Sequence, residues 1–189
     1  MTPKVLTAAL GAVAVLLVTA CTPEAAPSAV PVVKPPSAPT SASAGENEDG
    51  VLPEQGISLR EIGDVAFRRL DLPLQDALKQ ADADARRAGV ELRMTSGWRS
   101  RDYQQRLLDQ AVVTYGSLAE ARKFVNSVDR STHVSGKAVD IGPTAGADWM
   151  IQHGADYGLC QAYANEMWHF ELLTSPGGQC PAPLTDAAG

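Results

Sequence analysis

Residues 73–100, PLQDALKQADADARRAGVELRMTSGWRS, change their apolar period halfway along. Leu74, Leu78, Ala81 and Ala85 recur at helical spacing, Pro73 suits a first turn, and Gly89 suits a stop. That predicts a helix over 73–88. From Val90 the period drops to two: Val90, Leu92 and Met94 alternate with Glu91, Arg93 and Thr95, as in a strand buried on one face. A helix feeding such a strand, without a repeating βαβ rhythm, predicts an α+β fold. The expected fold is one compact domain: a small antiparallel sheet flanked by helices.

Further elements follow on either side. A second helix is expected from about Ser100 to Tyr115, and a third from Ser117, where Glu120 completes a capping box; Gly116 separates them. KAVDI (137–141) reads as a strand with Ala138 and Asp140 on one face. ADWMIQHGADYG (147–158) reads as a short helix, and MWHFELL (167–173) as a strand rich in aromatic and aliphatic residues. The carboxylates of DLPLQDALKQADADARR (71–87) read as a solvated helix face.

The first twenty residues carry one cation, Lys4, and an apolar run from Val5 to Ala20. The run is short for a membrane span and fits a secretory leader. It ends in LVTAC, which resembles the lipobox of bacterial lipoproteins, with Cys21 as the lipidated N-terminus. Residues 21–50 are rich in Pro, Ala and Ser and lack aromatics, as expected of an extended tether. Residues 51–189 are long enough for one domain with its own core. The expected location is outside the cytoplasm, on the membrane and facing the cell wall.

The formal charge of −6 becomes −7 when Lys4 leaves with the leader, and no basic stripe remains, which excludes nucleic acid as a partner. Two cysteines, Cys160 and Cys180, remain in the domain of an exported chain, so they are expected to pair. The bridge would close a loop around the 167–173 strand and contribute about 2–4 kcal/mol.

The chemistry gathers in two stretches. In STHVSGKAVDIGP (131–143), His133 and Asp140 flank Gly136 in a run of small residues, and a loop leading into a strand could bring imidazole and carboxylate together. In NEMWHFEL (165–172), His169 sits among apolar neighbours, with Glu166 three residues before it. Two histidines and a carboxylate make a mixed N/O donor set, which zinc fits best. Three protein ligands leave a position for water, which zinc acidifies and a nearby glutamate can deprotonate. Period-two alternation puts Glu171, not Glu166, on the face of His169 in a regular strand; a strand starting only at His169 would leave Glu166 on the bend before it.

Three blocks in order now resemble the VanY-type D-alanyl-D-alanine carboxypeptidases and the wider zinc peptidase group that includes D-Ala-D-Ala dipeptidases. SGWRSRDYQ (96–104) looks like that group's SG[YF]RS block followed by glutamine. SxHxxGxAxD is met by Ser131, His133, Gly136, Ala138 and Asp140, and EMWH (166–169) follows. The likeness covers most of residues 55–175. It implies one zinc ion per domain, held by His133, Asp140 and His169, with Glu166 as the base and Arg99 stabilising the oxyanion. It implies substrate binding by Ser131 and Gln104, with Ser131 near the terminal carboxylate. It leaves Glu171 to orient a ligand. Trp168 reads equally as cleft wall or core, and His153 as a solvated helix residue. The activity implied is removal of the terminal D-Ala from peptidoglycan stem peptides. The alternatives are an endopeptidase or dipeptidase of the same group, or a zinc-containing wall-binding module without catalysis.

Overall fold

A computed structural model of the chain describes residues 47–189 apart from Ile62. The leader at 1–20, Cys21 and the tether up to residue 46 lie outside the described residues.

Helix α1 (Val65–Arg68) and helix α2 (Leu72–Arg87) follow a short strand, β1 (Ile57–Ser58). The second helix starts one residue before the expected boundary, with Pro73 in its first turn, and buries Leu74, Ala77, Leu78, Ala81 and Ala85 as one stripe. The expected solvated carboxylate face needs one correction. Asp82 is buried, and Arg86 Nε donates to its Oδ2 at 3.0 Å. Arg86, one turn further along the helix, supplies the charged hydrogen-bond partner that a buried carboxylate needs.

Strand β2 covers only Arg93–Ser96, followed by helix α3 (Arg101–Tyr115). Helix α3 is capped by Ser100, whose Oγ accepts from Tyr103 N, and ends at Gly116. Helix α4 is a single turn, Leu118–Ala121. Half of the expected capping box forms: Ser117 Oγ accepts from Glu120 N at 3.1 Å, but the Glu120 carboxylate binds Lys123 Nζ. A cation on the same side of the short helix outcompetes the neutral backbone donor. These two helices pack on each other through Leu107, Leu108, Ala111 and Ala121, with Val125 of the segment after α4 in the same cluster.

Strand β3 (Ala138–Gly142), helix α5 (Thr144–His153) with a 3-10 turn at Gly154–Tyr157, strand β4 (Leu159–Gln161) and strand β5 (His169–Leu172) complete the domain. The five strands form one antiparallel sheet in the order β1-β2-β3-β5-β4. Its core face carries Met94, Val139, Ile141 and Phe170 against Leu74 and Leu78 of α2 and Met150 of α5. Burying a side chain such as Phe170 contributes roughly 1.5–3 kcal/mol.

The other face is the one that matters for chemistry. On β3, Val139 and Ile141 point into the core, so Asp140 must point away from it. Asp140 pairs with His169 on one side and Ser96 on the other. The second pairing depends on a register shift in β2. Met94 pairs with Ile141, so one step along β3 corresponds to two steps along β2. A regular strand would put Ser96 on the core face with Met94; the irregularity turns it to the face of Asp140. The expected pairing of Cys160 with Cys180 is formed, tying β4 to the C-terminal segment around β5.

Candidate metal centre

Three segments deliver three donor side chains. Asp140 comes from the middle of β3 and His169 from the first residue of β5, and their register pairing sets them side by side. His133 comes from the loop before β3, whose turn depends on Gly136. That residue has φ +73°, and a Cβ there would lie 2.4 Å from the Arg69 carbonyl oxygen. Any side chain at 136 would push the loop off α1 and carry His133 with it.

The donor atoms form a nearly equilateral triangle. His133 Nε2 lies 3.2 Å from His169 Nδ1, which lies 3.2 Å from Asp140 Oδ1; the third edge, His133 Nε2 to Asp140 Oδ1, is 3.4 Å. A tetrahedral zinc with ligands at about 2.0–2.1 Å requires donor separations of about 3.3 Å. All three side chains are buried.

The outer nitrogens of both rings fix which atom faces inward. His133 Nδ1 donates to the Gly97 carbonyl at 2.8 Å, which leaves Nε2 with a lone pair for a cation. His169 Nε2 donates to Glu171 Oε1 at 3.0 Å, which leaves Nδ1 facing the other two donors. Thr132 Oγ1 donates to the same Glu171 oxygen at 3.0 Å and holds it in place. Glu171 therefore sits behind the histidine, where a carboxylate orients a ligand and raises its basicity.

Glu166 lies on the opposite side. Strand β5 begins only at His169, so Glu166 falls on the bend before it. It is 5% exposed, its Oε2 lies 3.8 Å from His169 Nδ1, and its Oε1 is buried with no hydrogen-bond partner among the described residues. An orphaned buried carboxylate oxygen beside a triangle of inward-facing donors fits a site built to take a cation and a water.

Arg99 completes the cluster. Its Nη2 donates to Asp140 Oδ2 at 3.0 Å, Nε to Ser96 Oγ at 2.8 Å, and Nη1 to Gln104 Oε1 at 3.1 Å. Gln104 is 1% exposed, and its Nε2 donates to the Asn126 carbonyl at 2.8 Å. Both ends of its amide are engaged, so Gln104 reaches the centre through Arg99. Ser131 is buried two residues before His133. Trp168 is half-buried, and its carbonyl accepts from Ile141 N. His153 is exposed on α5 with its ring against Trp149, apart from the donor triangle.

Four contributors had little or no signal in the sequence. Thr132, the Gly97 carbonyl and Ser96 act through single hydrogen bonds. Tyr163 packs its ring on His169 at a centroid distance of 4.9 Å. Ser96 and Gly97 stand inside the SGWRS block, which was the available clue.

The cluster is strongly polarised. Burial pushes His133 down to about 4, with the Arg99 charge adding to the effect. Burial works against charge on His169 too, but its hydrogen bonds to Asp140 and Glu171 outweigh that and raise it to about 9. Burial pushes Glu166 up to about 8, against the pull of His169. Asp140 is held well below the usual carboxylate range, because His133, His169 and Arg99 outweigh its burial.

A pH dependence follows. In the metal-free chain, Glu166 and His169 each bind a proton more tightly when folded than when unfolded. His133, lowered when folded, works in the opposite direction up to about pH 7.5, but one such group does not cancel the two raised ones. Stability should therefore fall as pH rises from about 6.5 to 9, the interval in which the folded chain still holds protons that the unfolded chain has released. A bound divalent cation replaces those protons and should flatten the dependence. Thermal melts of chelated and zinc-loaded protein across that range check this; a chelated chain whose Tm stays level or rises would contradict it.

The comparisons with known proteins agree with this arrangement. The profile of the VanY family, D-alanyl-D-alanine carboxypeptidase, matches residues 68–174, which contain all three donor residues, Glu166 and Arg99. The putative carboxypeptidase YodJ of Bacillus subtilis strain 168 is 30% identical over 151 residues, covering 68% of this chain and 54% of that protein. This chain thus spans about half the length of the curated relative it matches. Among solved structures, VanYB in complex with D-alanine-D-alanine is similar with a TM-score of 0.51 and 26% identity, over 54% of this chain and 70% of that one. The LdcB LD-carboxypeptidase, described for peptidoglycan recognition, is similar with a TM-score of 0.51 and 27% identity, over 68% of this chain and 69% of that one. With the matched profile spanning more than half of its length and enclosing the whole donor cluster, the chain belongs to the VanY family of D-alanyl-D-alanine carboxypeptidases.

Proposed function

We propose that the protein is a zinc-dependent carboxypeptidase that removes the terminal D-alanine from peptidoglycan stem peptides. The observation that carries this reading is the pairing of the donor triangle with Glu166, whose Oε2 lies 3.8 Å from the inward-facing Nδ1 of His169 and whose buried Oε1 lacks a hydrogen-bond partner among the described residues. His133, Asp140 and His169 would hold one zinc ion. Bound there, zinc would act as a Lewis acid that polarises the scissile carbonyl and makes a water more acidic.

The chain's own residues account for the rest. Glu166 is placed to take a proton from the attacking water and return it to the leaving amine of D-alanine. Its raised proton affinity falls when a positive charge enters the site, which makes it a base near neutral pH. Arg99 has five N–H groups, of which three are engaged by described residues, leaving two for the oxygen that gains negative charge during attack. Gln104 and Ser96 fix that guanidinium, so it is oriented before substrate arrives. Ser131 and Trp168 stay in this proposal as substrate contacts, Ser131 near the terminal carboxylate.

The same reading places the domain outside the cytoplasmic membrane, with the leader cleaved before a lipid-modified Cys21 and residues 21–46 serving as a tether. A domain on a flexible arm meets nearby wall at high effective concentration. The likeness to an LD-carboxypeptidase supports a second reading, in which the scissile bond lies one residue earlier in the stem. Incubating the mature chain separately with a pentapeptide stem ending in D-Ala-D-Ala and with the tetrapeptide stem separates the two. Release of one D-alanine from the pentapeptide alone, lost on chelation and restored by zinc, is the expected result by mass spectrometry. Cleavage of the tetrapeptide alone would favour the second reading. No release from either stem by zinc-loaded protein would overturn both.

A further inference from the structure

The last residues of the composition-defined tether do not end outside the domain. Asn47 brackets the turn that follows: its Nδ2 donates to the Val51 carbonyl at 2.7 Å, and its Oδ1 accepts from Val51 N at 3.0 Å. Asp49 then grips Ser100 twice. Its carbonyl accepts from Ser100 N at 3.0 Å and its Oδ1 from Ser100 Oγ at 2.5 Å. Its Oδ2 accepts from Arg106 Nη2 at 2.6 Å, nearly two turns further along α3. Gly50 is buried against Trp98: φ is +77°, and a Cβ would lie 2.1 Å from the Trp98 carbonyl oxygen and 3.3 Å from its ring. No side chain fits there.

The grip falls on either side of Arg99. Trp98 is pinned by Gly50, by a hydrogen bond from its backbone N to the Ala66 carbonyl, and by the Arg69 guanidinium over its ring at 4.2 Å. Ser100 is pinned by Asp49. Within the turn itself, the Arg99 backbone has one hydrogen bond of its own among the described residues, from its N to the His133 carbonyl at 3.3 Å. The arm lies outside the residues that the family profile matches, which begin at residue 68.

We propose that residues 47–50 form a positioning arm that fixes the turn carrying Arg99, and that Asp49 acts on the reaction through the Arg99 guanidinium. This rests on the role proposed above for Arg99. A guanidinium must meet the developing oxyanion within a fraction of an ångström, and a misplacement of about 1 Å can cost up to about a hundredfold in rate. Asp49 is a positioning residue, not a catalytic one.

The test uses the full mature chain loaded with zinc. Asp49→Ala should lower kcat by about tenfold or more, with a smaller change in KM and unchanged zinc content. Asp49→Asn keeps an acceptor for Ser100 and should recover most of the loss. Gly50→Ala, which disturbs Trp98 from the other side, should act in the same direction as Asp49→Ala. In an Arg99→Ala background, Asp49→Ala should cost nothing further, because the group it positions is gone. A readout independent of turnover is the side-chain Nε–H resonance of Arg99 in nitrogen-15 NMR spectra. It should be sharp in the parent and in Asp49→Asn, and exchange-broadened in Asp49→Ala and Gly50→Ala.

An equal fold-loss from Asp49→Ala with and without Arg99 would overturn the proposal, since general loosening of the fold acts in both backgrounds. So would an Arg99 resonance unaffected in both arm variants. If the parent releases no D-alanine from any stem peptide, the proposed function fails while the resonance comparison still decides the role of the arm.

Discussion

Glu166→Gln is expected to lower kcat by about 10²–10⁴-fold while leaving one zinc per chain. Glutamine keeps the shape of a side chain that is almost fully buried, and removes the only feature the mechanism needs, a carboxylate able to accept and return a proton. Zinc content should not change, because the donor triangle is formed by His133, Asp140 and His169 without it. The competing candidate is Glu171, and the two differ in kind. Glu171 bonds the outer nitrogen of His169 and shares its oxygen with Thr132, so Glu171→Gln should weaken zinc affinity by about 10–100-fold and spare kcat at saturating zinc. Steady-state kinetics and metal analysis on the two variants decide between them. Full turnover in Glu166→Gln would remove Glu166 from the mechanism.

His133→Ala is expected to abolish zinc binding at micromolar metal and reduce activity to the level of chelated protein. One corner of the triangle disappears, and the two remaining donors are His169 and Asp140, which already bond each other at 3.2 Å. With the cation gone, those groups satisfy one another and have little reason to reopen. His153→Ala is the control. Its side chain is exposed on α5, so metal content and turnover should match the parent. Competition against a chromophoric chelator measures the affinity of both variants. Stoichiometric, tight zinc in His133→Ala would mean that the metal is held elsewhere.

Much of this centre was legible in the sequence because its parts lie on regular elements. The alternation in KAVDI puts Asp140 opposite Val139 and Ile141, and the apolar run around His169 marks a buried strand; register then does the rest. Alternation also put Glu171 on the face of His169, which is correct. What alternation cannot give is the direction of the ring, and with it which carboxylate meets the inner nitrogen. That depends on where β5 starts and on the hydrogen bond from Thr132 to Glu171, a contact 39 residues apart in sequence.

The less legible features share a cause: a specific long-range partner overrides a local tendency. Composition assigns Asn47–Gly50 to the tether, yet Asp49 finds Ser100 and Arg106 more than fifty residues away. Period predicts that Ser96 follows Met94 into the core, yet the register shift in β2 turns it toward Asp140, where it can hold Arg99. Asp82 reads as solvated and is buried under Arg86. Gln104 has the look of a polar cleft residue, and only tertiary packing reveals that both ends of its amide face inward.

The most direct test of the account is a crystal structure of the mature chain with zinc, using anomalous scattering at the zinc edge. The prediction is one ion per chain, bound by His133 Nε2, His169 Nδ1 and Asp140 Oδ1, with Glu171 retained on His169 Nε2 and a Glu166 oxygen facing the ion without bonding it. A zinc ion held by other residues, ligation through Nδ1 of His133, or Glu166 in place of Asp140 as a ligand would contradict it.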